Sequence, residues 1–81
     1  MESIFELSEL KKSNSRMRAT CQSLTHDALF TFIVNGSDDF KDELWSFYEK
    51  YWHAKVYATI KYDDIDSHGK PLSPLLISIS K

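Results

Sequence analysis

The sequence predicts an all-β domain with a single helix, in the order strand, strand, strand, helix, strand, strand. Three observations predict it. Apolar and polar residues alternate from Arg16 to Leu24 and again from Lys55 to Tyr62. A β-branched and aromatic run, Ala28 to Val34, is closed by Asn35-Gly36. One stretch alone, Phe40 to Tyr51, repeats its apolar residues at helical spacing. With 81 residues, 42% of them hydrophobic and 27% charged, and two Gly and two Pro, the composition fits one globular domain covering residues 1–81.

The first strand is expected over Ile4 to Leu10, with Phe5, Leu7 and the Glu9 position on one side. Lys11-Lys12-Ser13-Asn14-Ser15 is polar and holds turn-favouring Ser and Asn, so the chain should reverse there. In the second strand, Met17, Ala19 and Cys21 fall on one face, and Arg16, Arg18, Thr20 and Gln22 on the other. Thr25-His26-Asp27 turns the chain into the third strand, Ala28 to Val34. Ser37-Asp38-Asp39 then supplies cap oxygens and first-turn carboxylates, which favour the positive end of a helix. Phe40, Leu44, Phe47, Tyr48 and Tyr51 form its apolar stripe, about three turns long. Val56, Ala58 and Ile60 mark the inner face of the fourth strand. Asp63 to Pro74 reads as a loop, and Leu75 to Ser80 as the fifth strand.

Three strands, a helix and two strands is the order of the five-stranded OB-fold barrel, whose helix can plug one end. A split β-α-β sandwich competes with it but prefers an early crossover helix, and no helical pattern precedes Asp38.

Three segments carry a family resemblance: Phe32 to Trp45, with its Gly36 turn and Glu43-Leu44-Trp45; Ala54 to Tyr62; and Asp66-Ser67-His68-Gly69-Lys70-Pro71-Leu72-Ser73-Pro74. In this order and spacing they resemble the carboxy-terminal OB domain of ATP-dependent DNA ligases, especially the small viral and phage forms. The resemblance runs from Ile4 to Ile79. It departs from the family at Leu72-Ser73, where a basic and an aromatic residue precede the second proline, and at Ser78 and Ser80, where the last strand carries arginines. The closing basic motif that orients the ATP pyrophosphate is thus absent apart from Lys81, and the nucleotidyltransferase domain with its nucleophilic lysine has no counterpart here. The resemblance therefore implies a non-catalytic module, not an enzyme, acting as a separately encoded accessory subunit.

In that family the corresponding surface meets the duplex backbone, which implies phosphate contacts for Arg16 and Arg18 together with Lys11 and Lys12 of the preceding turn. A solvated strand face is the bland alternative, and it stays open. Lys61 and Lys70 are weaker candidates, as is Lys55. Trp45 and Trp52 lie seven apart and so share a helix side. Buried they are core, and exposed together they mark a partner surface. Tyr57 and Tyr62 are either stacking platforms or barrel interior.

The expected partners are DNA, nicked or duplex, and a nucleotidyltransferase subunit. A net charge of −2 means that any nucleic-acid surface must be local. A second reading, of a different class, is an interaction or inhibitor module, viral in origin, using Asp38, Asp39, Asp42, Glu43, Asp63, Asp64 and Asp66 against a basic groove on a host protein.

No cofactor or metal is expected. His26, His53 and His68 share no ligand spacing, Asp63 to Asp66 lacks the spacing of a calcium loop, and Cys21 is the sole cysteine. The lone thiol and the lack of a signal-like or membrane-length apolar run lead to an expected soluble, cytoplasmic or otherwise intracellular location.

Overall fold

The longest strand is also the hub. In the structure, a computed structural model that describes residues 1–81, β1 (Glu2–Ser13) runs past the predicted stop at Leu10. Its early half, Glu2 to Leu7, pairs with β4 (Val56–Lys61), and its later half, Glu6 to Ser13, pairs with β2 (Arg16–Gln22). The strand also carries a bulge just past the stretch that both neighbours share. Leu7 faces Cys21 and Glu9 faces Thr20, so Ser8 is the extra residue. A bulge bends a strand and resets which side its residues occupy. That corrects the expected phase: Phe5 and Leu7 are buried before the bulge, and after it Leu10 is buried while Glu9 is exposed.

The reversal predicted over Lys11 to Ser15 is tighter than expected. Ser13 pairs with Arg16, so the turn is Asn14-Ser15, with Asn14 at φ 56°. Asn tolerates this left-handed conformation better than most non-glycine residues.

β3 (Leu29–Ile33) pairs with β2, and β7 (Leu75–Ser80) pairs with β4, giving one antiparallel sheet in the order β3-β2-β1-β4-β7. The expected closed barrel is not present: β3 and β7 are the two free edges of an open sheet. β7 lies against the helix α1 (Asp38–Tyr51), where Phe40, Leu44 and Phe47 share an apolar groove with Ile77 and Ile79. The predicted loop at 63–74 contains a further small hairpin, β5 (Asp64–Ile65) with β6 (Pro71–Leu72).

α1 begins where the cap signal placed it. The Phe40 amide donates to Ser37 Oγ at 3.1 Å, and Asp38 and Asp39 occupy the first turn. Gly36 precedes this cap because nothing larger fits: a Cβ there would sit 2.5 Å from the Phe40 ring. The core is then one layer between the inner sheet face and the helix. Phe5, Leu7, Leu10, Met17, Ala19, Cys21, Phe30, Val56, Ala58, Ile60 and Leu76 point inward from the strands, and Leu44 closes them from α1. Alternation along each strand produces this result, since every second residue shares a face. The Phe5 ring sits edge-on to Phe30 at 5.4 Å and to Tyr62 at 6.2 Å, tying β1, β3 and the end of β4 together.

Cys21 lies at the centre of this layer with no exposed surface, and burial pushes its thiol up to about 12. The neutral thiol is the form the fold favours. That contribution to stability is intact below the unfolded thiol's ordinary value of 9.0, and is lost as pH rises from there toward about 12. At mildly alkaline pH, iodoacetamide should therefore alkylate Cys21 only through opening of the fold. Mass-spectrometric labelling rates should rise with urea in step with unfolding, and rapid labelling without denaturant would contradict the burial.

Candidate basic site on the β1–β2 hairpin

Cross-strand register decides which cations share a surface. Lys11 lies opposite Arg18 and Ser13 opposite Arg16, so these four side chains stand on the outer face of the hairpin. With Asn14 they line an open concavity of about 310 Å³ that has no hydrophobic lining residue. All three cations are exposed. Lys11 has a carboxylate nearby, Glu9 Oε1 at 3.6 Å, but this pair is solvent-exposed and weak. Arg16 and Arg18 make no salt bridge and no side-chain hydrogen bond. Two guanidinium forks are left facing solvent, each with a planar donor array suited to phosphate.

Lys12 does not belong to this group. It lies opposite Met17, on the other side of the hairpin, and its Nζ is 3.6 Å from Asp42 Oδ1 on α1. Since Lys11 and Lys12 are consecutive in a strand, they point to opposite faces. Lys61 is farther away still. It pairs with Glu2 at the opposite end of β1, and Lys70 sits in the turn that joins β5 to β6. Lys55, just before β4, is exposed. The structure thus brings together Lys11, Arg16 and Arg18 and leaves Lys12, Lys61 and Lys70 apart. It adds Ser13 and Asn14 to the lining. Both fall inside the polar stretch read as a turn, and continuing the strand alternation through Ser13 would have found the first.

The remaining candidates are placed as follows. Trp45 is half-buried against the core, with Tyr48 at 5.9 Å. Trp52 caps the helix C-terminus and is 65% exposed. The two indoles are therefore not exposed together: Trp45 packs on the core and Trp52 faces solvent. Tyr62 is core, and its hydroxyl is 2.8 Å from Ser3 Oγ, so its ring faces cannot stack on a partner. Tyr57 is half-buried.

The acidic residues divide between two elements. Asp38 and Asp42 line a second hollow with Lys12, Arg16 and Lys41, and the ion pair there is Lys12 with Asp42. Asp66 is taken up by its own turn: its Oδ1 accepts from the His68 and Lys70 amides, each at 2.9 Å. The Lys70 amide, then that of His68 and the nearby charges, hold this carboxyl below its ordinary value. Gly69, at φ 84°, packs this turn onto His26, whose Cγ would lie 2.7 Å from a Cβ at that position. The Asp66 loop is thereby fitted to the loop that leads into β3.

No helix is long and apolar enough to cross a membrane, and no three His, Cys, Asp or Glu side chains converge in a way that would hold a metal ion. Comparison with family models, curated proteins and solved structures gives no match.

Proposed function

We propose that this chain is a non-catalytic OB-type module, similar to the OB domain of ATP-dependent DNA ligases. It binds the phosphate backbone of nucleic acid through the outer face of the β1–β2 hairpin, alone or docked on a nucleotidyltransferase subunit to clamp a duplex. One observation carries the reading: Arg16 and Arg18, free of salt bridges, stand with Lys11 around a concavity lined only by polar and charged residues, on a chain whose overall charge is negative. The arrangement can neutralise phosphates, and the reading assigns it no bond-making step.

Topology supports the OB part of the proposal. The order β3-β2-β1-β4-β7, with the helix entering after β3, is that of a five-stranded OB barrel opened between its third and last strands. In OB folds nucleic acid meets the second and third strands and the loop between the first two. The corresponding parts here are the strand bearing Arg16 and Arg18 and the Asn14-Ser15 turn beside them.

Three cations on three phosphates would give a log–log salt slope of about −2.7 on duplex DNA, and an affinity at the weak end of non-specific binding, about 10⁻⁴ M at physiological salt. Fluorescence anisotropy with nicked duplex and with single-stranded DNA, titrated at low and moderate salt, checks this. Binding to neither at low salt, with or without a candidate catalytic subunit present, would end the proposal.

A further inference from the structure

The two edges of the open sheet are protected very unequally. Proteins normally blunt a free β edge with charge, proline, a bulge or a covering element. β7 has several of these devices. Ile77 is a bulge, since Thr59 faces Ser78 while Ile60 faces Leu76; α1 packs beside the strand; and Pro74 precedes it. β3 has none. Leu29-Phe30-Thr31-Phe32-Ile33 is uncharged and proline-free, pairs with β2 in unbroken register, and has no backbone hydrogen bond on its other side. Within the five-stranded sheet the charged residues sit instead on the inner strands β1, β2 and β4. Leu29 and Ile33 are also 65% and 47% exposed on the outer face.

We infer that β3 is a dimerisation edge, and that its occupant is β3 of a second copy of this chain, added antiparallel across a two-fold axis at Thr31. An unpaired backbone edge selects an extended strand, because only a strand satisfies its regularly spaced donors and acceptors. The side chains select this strand. Centred on Thr31, the pairing sets Leu29 against Ile33 of the second copy on the outer face, twice, and Thr31 against Thr31. On the inner face it sets Phe30 against Phe32, twice. Apolar, aromatic and Thr–Thr pairs are the favourable cross-strand combinations, and no charge meets another across the seam. The contact is isologous, so it closes at two copies and does not propagate.

Electrostatics permits the arrangement. Arg18 lies beside Ile33, so it shares a row with Leu29 and Gln22 of the second copy and not with that copy's Arg18. Three strand spacings, about 14 Å, separate the two β2 strands that carry Arg18, which already exceeds the screening length of about 8 Å at physiological salt. The two hairpin surfaces would then lie on one continuous outer face. The inference does not depend on what those surfaces bind.

Sedimentation equilibrium of the full chain over a wide concentration range tests it, with Thr31→Lys and Thr31→Glu as variants. Thr31 is exposed, and the one side-chain bond lost, to Thr20 Oγ1 at 2.9 Å, is also exposed. Both variants should therefore keep the wild-type circular dichroism. The wild type should form dimers. Each variant alone, placing like charges across the axis, should raise the dimer dissociation constant about tenfold or more. An equimolar mixture of the two variants should restore dimers, which a variant that merely failed to fold would not do. A wild type that stays monomeric, a dimer indifferent to both variants, or assembly continuing beyond two copies would overturn the inference.

Discussion

Ile60→Ala should be among the most destabilising single substitutions in the chain. Ile60 has no exposed surface, and it lies in the strand that joins both halves of the sheet, facing Ser3 of β1 on one side and Leu76 of β7 on the other. Truncating a buried isoleucine costs about 2–5 kcal/mol, made up of lost transfer energy and the cavity left behind. The upper part of that range applies where neighbours cannot collapse into the gap. Here the surrounding strands are held by their ladders, so relaxation is restricted. A chain of 81 residues has a net stability of about 4–12 kcal/mol. The substitution therefore removes a large share of it. Urea unfolding followed by tryptophan fluorescence should show the midpoint falling steeply with an unchanged slope. Ile77, 39% exposed at the β7 bulge, is the internal comparison. If Ile77→Ala cost as much as Ile60→Ala, the cost would not follow burial and the core would be wrongly placed.

The elements most legible in the sequence are those whose side-chain period is unbroken. β2 and β4 alternate without interruption, so their inner faces, Met17-Ala19-Cys21 and Val56-Ala58-Ile60, can be read directly and are buried as read. Ser37 could be placed as the helix cap because its chemistry is local. β1 was less transparent for the opposite reason. A bulge at Ser8 leaves no mark in a hydrophobic pattern except a change of phase, and the apolar residues flanking it, Leu7 and Leu10, are three apart, a spacing that fits no single strand face. Closure of the sheet was not legible at all. Whether two edge strands pair depends on the curvature accumulated across all five, which no run of residues in β3 or β7 encodes. The candidate site was half-legible. The cation pairs Arg16 and Arg18 follow from strand alternation, but Lys11 and Lys12 separate only once the strand is known to continue to Ser13. Trp45 and Trp52 differ in burial, one packed on the core and the other open to solvent, and seven-residue spacing alone does not encode that difference.

Charge reversal separates the phosphate-binding proposal from the acidic-surface alternative more sharply than any measurement on the wild type. Arg16→Glu with Arg18→Glu replaces two cations by two anions on a face where neither arginine supports another side chain. The fold should survive, since exposed substitutions of this kind shift stability by about 0.5 kcal/mol or less. Nucleic-acid affinity should fall below detection, because the remaining Lys11 is already partly engaged by Glu9 and the two new carboxylates repel phosphate. Arg18→Ala alone is the graded version, and it should lower the salt slope by about one. On the acidic side, Asp39→Lys with Asp63→Lys is the matched pair. Asp66 is unsuitable because its carboxylate holds the 66–70 turn, and Asp42 because it pairs with Lys12. Those two reversals should leave DNA binding intact or strengthen it, as net positive charge rises. The outcome that would reverse the argument is equally definite. If affinity for a native partner vanished with Asp39→Lys and Asp63→Lys but survived Arg16→Glu and Arg18→Glu, the hairpin would be a solvated strand face and the carboxylates the working surface.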